Sequence, residues 1–314
     1  MTPPRPSAIM TLAGQKLTGP EAGLYWLRVR LARGCHDQVE LSLWPRTKFA
    51  SAQPGDTLTL QLGLKDAEED VWSGEVTRVE QTAQAVLITG HSATAALSRE
   101  RKAQTYVGQK VGDIVRDLAS PVTIDEVKAD TELSYYSVDH GRSVWGHLVD
   151  LADLSGSELS CSPSGGLRFV PVNSLPSATK FRYGAELLSW RFGPSTAGKA
   201  VTFAAHGSAS ESGSEKWHWV NPDPTTGKGG SQVVGGFHSR SAADALSQAI
   251  EDRVKRAAVS GEIELTGQAA LRPGDVFSLS DLANDPGSLR ALSVAHQLDG
   301  ARGFRTLARV EGAG

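Results

Sequence analysis

Cysteine is nearly absent from this chain: 314 residues carry two, Cys35 and Cys161. They stand far apart with no metal-ligand spacing around either. That sets aside a disulfide framework and a zinc site, and leaves two thiols or at most a single bridge. Long apolar runs are missing too. No stretch approaches the roughly 20 apolar residues that cross a bilayer. The Pro-rich start, Met1 to Ser7, has no apolar run behind it and does not read as a signal peptide. An excess of one charge sign is also lacking, with 32 Lys+Arg against 35 Asp+Glu and a formal charge of −3. A dedicated nucleic-acid binder needs a phosphate-neutralising surface, and this balance supplies none overall. Arg28, Arg30 and Arg33 read as the solvated face of a strand.

Catalytic patterns are equally scarce. The eight His are scattered, without a His-x-x-Glu-His or paired-carboxylate arrangement that would support metal catalysis. Gly229-Gly230 and Gly235-Gly236 lack the following Gly-Lys-Ser/Thr of a phosphate loop. Ser137, Asp139, His140 and Ser143 sit within one short turn, whereas a triad needs geometry supplied by separate elements. Ser143 has a simpler use as a helix cap. No catalytic, cofactor-binding or metal-ligating residue is expected, and the chain does not read as an enzyme.

What is abundant is turn chemistry. The sequence holds 33 Gly and 15 Pro, with 39% hydrophobic and 21% charged residues, a composition that suits a folded, strand-rich protein. Up to residue 95 the pattern is period-two. Leu24 to Leu31, Val39 to Trp44 and Thr57 to Leu64 alternate, with Leu58, Leu60, Leu62 and Leu64 on one face. A polar acidic loop over Lys65 to Asp70 precedes strands at Val71 to Glu80 and Ala85 to Gly90. The character changes over 96–184. A short helix is expected at Val111 to Ala119, then one from the N-cap Ser143 to Ser155-Gly156, then a hairpin of Glu158 to Cys161 and Leu167 to Val170. From 185 to 314 strands return, interrupted by a polar loop (208–232) and an Ala-rich helix (241–259) ended by Gly261. Trp217 and Trp219, two apart inside that polar loop, are candidate interface anchors, because Trp is enriched where subunits meet.

The two ends echo one another. Pro54-Gly55-Asp56 followed by Thr57-Leu58-Thr59-Leu60 is matched by Pro273-Gly274-Asp275 followed by Val276-Phe277-Ser278-Leu279. In each copy a polar segment, a strand and a closing strand follow, with Leu87 and Leu307 at nearly the same distance from their Pro. The expected fold is α+β and mainly β, with two related tube-like antiparallel barrels flanking an α/β module. Two similar units per chain in a three-fold assembly would make six around an axis.

Val111-Gly112-Asp113-Ile114-Val115-Arg116-Asp117-Leu118-Ala119, then Tyr135-Tyr136-Ser137-Val138-Asp139 and Ser143-Val144-Trp145-Gly146-His147-Leu148, resemble the middle of phage late-control D proteins. Leu151-Ala152, Gly166-Leu167-Arg168-Phe169, Leu271-Arg272-Pro273-Gly274-Asp275 and Val294-Ala295-His296 extend the likeness over about 90–314. That family comprises baseplate hubs of contractile tails, and the hub part of type VI secretion spikes shares its fold. The resemblance implies a homotrimer, a pseudo-hexameric ring around a channel that joins a six-fold inner tail tube protein to a three-fold spike. Baseplate wedge proteins would be further partners. It also implies assembly in the bacterial cytoplasm and residence in the baseplate of a virion or injection particle. Since the chain stops after its second barrel, the spike is expected to be a separate protein. A tail-associated cell-wall hydrolase and a carbohydrate- or peptidoglycan-binding module stay open as alternatives.

Overall fold

A computed structural model describes residues 5–172, 178–194, 202–208, 218–221, 229–233 and 240–313. Alternating apolar residues build the first unit from β1 (Pro6–Leu12), β2 (Gln15–Thr18), the one-turn α1 (Gly19–Ala22), β3 (Leu24–Ala32), β4 (Gln38–Leu43), β5 (Thr57–Leu64), β6 (Ala67–Gln81) and β7 (Val86–His91). The acidic segment expected as a loop is different. Ala67 to Asp70 already belong to β6 and pair with Gln61 to Leu64, so the connection shrinks to a tight turn with Asp66 at φ 70°. On an edge-facing strand, acidic side chains point to water and do not prevent pairing.

A short 3₁₀ turn (Ala93–Ser98) leads into the middle unit of β8 (Gln104–Lys110), α2 (Val111–Leu118), β9 (Ile124–Val127), β10 (Glu132–Val138), α3 (Val144–Ser155), β11 (Ser157–Cys161) and β12 (Leu167–Pro171). The local signals predict these helices closely. The Ser143 hydroxyl accepts from the Gly146 N–H at 3.1 Å, and Gly156 closes α3 in the left-handed region. A separate apolar core joins Ile114, Val115, Leu148, Leu151, Leu159 and Phe169. Trp145 is buried as its helix face requires, and its indole N–H donates to the Gly34 carbonyl at 3.1 Å, tying this unit to the first.

The last unit comprises β13 (Lys180–Arg182), β14 (Leu187–Pro194), β15 (Thr202–Ser208), β16 (His218–Asn221), β17 (Gly229–Val233), α4 (Arg240–Arg256), β18 (Val259–Thr266), β19 (Val276–Ser280), β20 (Leu289–Asp299) and β21 (Gly303–Gly312). Two expectations change. The stretch read as loop supplies β16 and β17, which pair with β15 into a small three-stranded sheet. The helix ends at Arg256, not near 259, and Gly261 lies inside β18. A Cβ at Gly261 would stand 2.2 Å from the Arg191 carbonyl oxygen and 2.4 Å from Phe192 Cβ, so this glycine serves close approach of two strands, not helix termination.

The two outer units do not form separate sheets. One sheet runs β14-β18-β21-β20-β3-β4-β7-β6-β5-β1-β2, with β13 and β19 attached beside β20. A single apolar core underlies it, drawing Leu27, Val29, Leu41, Leu60 and Ile88 from the first unit and Ile263, Phe277, Leu289 and Val310 from the last. The fold is mainly β, with extended antiparallel sheet and a few helices.

Candidate assembly interface

The repeated Pro-Gly-Asp turns occupy equivalent places. In the first copy the Gly55 N–H donates to the Val76 carbonyl and the Val76 N–H to the Asp56 carbonyl, both at 2.8 Å. In the second, Gly274 N–H reaches the Ala291 carbonyl at 2.8 Å and Ala291 N–H the Asp275 carbonyl at 2.9 Å. Each aspartate also accepts from the backbone three residues back, Gln53 at 2.8 Å and Arg272 at 2.7 Å. Both glycines sit at strongly positive φ, 97° and 95°, which only glycine adopts without strain.

The strands then match one for one. The order β5-β6-β7-β4-β3 in the first copy corresponds to β19-β20-β21-β18-β14 in the second. Irregularities coincide: β6 slips register against β7 between Val76 and Arg78, and β20 against β21 between Ala291 and Ser293. Likewise β3 slips between Leu24 and Trp26, and β14 between Leu187 and Ser189. These registers make Leu27 the counterpart of Trp190, Val29 of Phe192, Val39 of Gly261, and Glu75 of Arg290. The Leu87 and Leu307 noted in sequence are counterparts too. Bulges at matched positions are features that duplication preserves and chance seldom reproduces.

Where the copies meet, β20 runs antiparallel beside β3, from Ser293 opposite Ala32 to Asp299 opposite Trp26. This junction buries Leu27 to 1% exposure and Val29 to 0%. Their counterparts are less enclosed. Among the described residues β14 pairs with β18 and, at Leu187 only, bridges Tyr183; Phe192 is partly buried against the core, and Trp190 is 39% exposed, its ring stacked 4.8 Å from Phe192.

A buried ionic node ties the units behind that junction. Arg290 of β20 is fully buried and pairs with Glu158 of β11 and, at 3.0 Å, with Glu311 of β21. Arg33, just beyond β3, reaches Glu158 at 2.7 Å and Glu311 at 3.4 Å, and Arg256 of α4 reaches Glu311 at 3.4 Å. Burial pulls the Arg33 and Arg256 guanidiniums below their ordinary pKa, against the opposing pull of Glu158 and Glu311 on Arg33 and of Glu311 and Asp252 on Arg256. The expectation that Arg33 is solvated does not hold, because the strand's end is covered by the middle unit. Removing one member of a buried charge set like this leaves uncompensated charge and is strongly destabilising.

Beside the node lies a second polar cluster. Burial pushes the Asp37 carboxyl up to about 7, opposed by Arg272, and the Cys161 thiol up to about 11. Cys161 is buried among Ser92 and Thr94 while Cys35 is exposed, and neither is bridged. His36, its ring 4.0 Å from that of Trp145 and tilted 46° to it, is pulled down to about 4, chiefly by burial. Such a thiol is protonated at neutral pH and a poor nucleophile.

The other singled-out residues fall into place as follows. His140 lies in an exposed turn, Asp139 caps the Gly141 N–H at 2.8 Å, and Ser143 caps α3. These residues are not brought together as a triad. Among the described residues no group of three His, Cys, Asp or Glu could hold a metal ion, and no helix is long and apolar enough to cross a membrane. Trp217 lies outside the described residues. Trp219 is in β16, but its side chain also lies outside them.

No family model matches the chain, and no curated protein matches it. Solved structures do. A tail protein from Neisseria meningitidis superposes with a TM-score of 0.73 at 13% identity, covering 98% of this chain and 96% of that one. The 43 kDa tail protein of prophage MuSo2 from Shewanella oneidensis gives 0.68 at 12% identity, with 98% of each chain covered. A component of the E. coli type VI secretion system, itself similar to the bacteriophage T4 tail proteins gp27 and gp5, gives 0.60 at 9% identity over 91% of this chain and 73% of that one. At these identities the likeness establishes a shared fold.

Proposed function

We propose that this chain is the structural hub of the baseplate in a contractile phage tail or a related injection particle. In this reading three chains form a ring around a channel. One side receives the six-fold inner tube, the other carries a spike supplied by a separate protein, and wedge proteins attach outside. The hub assembles in the bacterial cytoplasm before it reaches the finished particle.

The observation that carries the proposal is the duplication inside one continuous sheet. A three-fold ring built from a chain with two near-equivalent units offers six near-equivalent surfaces to one partner while keeping three-fold symmetry for another. The fold shared with tail proteins and a type VI component supports the same reading, as does the tying of all units by one ionic node. Two related tube-like barrel domains per chain, bounded at residues 1–95 and 185–314 around the 96–184 module, belong to this proposal. So do Trp217 and Trp219 as anchors for a neighbouring subunit.

The test is location. Gold-labelled antibody against this chain, applied to purified tail particles, should mark the baseplate end alone. Labelling along the tube, or none on intact and detergent-opened particles, would reject the hub assignment.

A further inference from the structure

The ionic node holds more donors than its acceptors can serve. Its ion pairs join three guanidiniums, Arg33, Arg256 and Arg290, to two carboxylates, Glu158 and Glu311. Three contacts converge on one oxygen, Glu311 Oε1. Arg290 donates to it at 3.0 Å and Arg33 at 3.4 Å, while Arg256 Nε stands 3.4 Å away. A carboxylate oxygen offers two lone pairs, and these two hydrogen bonds use them. Arg256 is left over. It is 5% exposed, and among the described residues its buried Nε finds no hydrogen-bond acceptor. A guanidinium does not escape by losing its proton, so a buried one short of acceptors calls for a negatively charged oxygen.

The charges around the node are engaged elsewhere. Asp252, one turn before Arg256 on α4, pulls on it but pairs with Lys255 at 3.4 Å and accepts from Gln248 at 2.8 Å. Arg253 is paired with Asp153 at 2.7 Å. Asp275, the next acid beyond Arg290, answers first to Arg272. The ion-paired set thus keeps one positive charge beyond its two carboxylates.

A cleft of about 340 Å³ leads to this spot, lined by Arg33, Arg253 and Arg256 together with Gly156, Ser157 and Ala249. Its walls come from all three units: Arg33 from just beyond β3, Gly156 and Ser157 from the turn between α3 and β11, and the rest from α4. Glycine, serine and alanine leave the approach to the guanidinium open to a small group.

We propose that this cleft binds a small oxyanion, a phosphate or carboxylate group, on the guanidinium of Arg256, with Arg33 as a second donor and Arg253 at the rim. The planar fork of arginine suits both groups, since each presents two oxygens to two parallel N–H bonds. The anion supplies the missing acceptor and cancels the excess charge. Because the walls belong to three units, binding also strengthens their docking. The assignment does not depend on the ring reading.

The experiment compares the full chain in phosphate, acetate and chloride at matched ionic strength and pH, by thermal unfolding and by titration calorimetry. Phosphate or acetate should bind once per chain and raise the melting temperature saturably over the chloride baseline. A rise of about 2–4 °C is expected at roughly ten times the dissociation constant, and the tighter of the two ions names the group. Arg256→Gln should weaken binding about tenfold or more, the worth of a charge-assisted hydrogen bond. Arg256→Lys, which keeps the charge without the fork, should fall between. Arg253→Gln, at the exposed rim, should fold like the parent and bind several-fold more weakly, so the test stands even if the buried substitutions do not fold. Phosphate and acetate responses no larger than that of chloride would overturn the site. So would a saturable response that the folded arginine variants leave unchanged.

Discussion

The two copies of the β unit share turns, bulges and strand order, and they differ in what lies against them. In the first, the core-facing residues of β3 are sealed within the chain, and the position of Glu75 is open to water. In the second, the corresponding residues of β14 are aromatic, Trp190 exposed and Phe192 only partly buried, and the position of Glu75 is taken by the fully buried Arg290. One backbone plan thus carries two surface chemistries. What differs between the copies is the set of contacts to other units.

Paired substitutions at equivalent positions break or sharpen this contrast. The largest expected effect is at Arg290. Arg290→Ala removes the fully buried member of the node, leaving Glu158 to Arg33 and Glu311 to Arg33 and Arg256, and should cost about 3–5 kcal/mol. Glu75→Ala, at the exposed counterpart, should change stability by less than about 0.5 kcal/mol. Urea denaturation of both variants measures the difference; equal losses would mean that the node does not hold the units together.

Next come Leu27 and Trp190. Leu27→Ala empties a sealed core site and should cost the folded chain about 2–5 kcal/mol. Trp190→Ala should leave monomer stability within about 1 kcal/mol and weaken association instead. Unfolding curves at low concentration, beside sedimentation at high concentration, separate the two readouts.

Smaller again is the Val39 and Gly261 pair. Gly261→Ala forces β14 away from β18 and should cost about 1–3 kcal/mol. Val39→Ala loses only the packing of a smaller side chain and should leave the strand pairing intact. Hydrogen exchange across β14 reports the difference, with faster exchange expected for Gly261→Ala alone.

The mildest contrast is one of pH. Asp37, raised to about 7, binds a proton in the folded state that the unfolded chain, with an ordinary carboxyl, gives up near pH 4. This group's contribution to stability is therefore fully present below about pH 4 and is lost as pH rises through about 7. His36, lowered to about 4, works the other way, losing stability as pH falls from the ordinary His value towards 4. Asp37→Asn should thus gain melting temperature relative to the parent as pH climbs from about 4 to 7. A constant offset across that range would place the titration elsewhere.

Much of this architecture is written in short-range chemistry and could be read directly. The Pro-Gly-Asp turns, the Ser143 cap and the Leu58–Leu62 alternation depend on neighbours within a few residues, so their meaning survives without the fold. The Val111 and Ser143 helices follow for the same reason. Gly261 was misleading because a glycine after an apolar helical stripe looks like a cap, while its actual reason is the approach of a strand some 70 residues away in sequence. Arg33 reads as surface because a charged residue on a strand normally is, and Arg290 carries no local sign of burial. Nothing local marks the glutamates that bury them. The β3–β20 junction left no signal beyond the duplication, since pairing of distant strands is set by the global fold. The exposure of Trp190 has no local sign, because alternation on β14 resembles that of any covered strand.

The central claim is that one chain supplies two of six like units in a closed ring, and image averaging of the purified protein under the electron microscope tests it most directly. Rings with three-fold symmetry and six evenly spaced lobes, of mass three times 33.3 kDa, are the predicted result. Two-fold dimers, or monomers alone across the micromolar range, would contradict it.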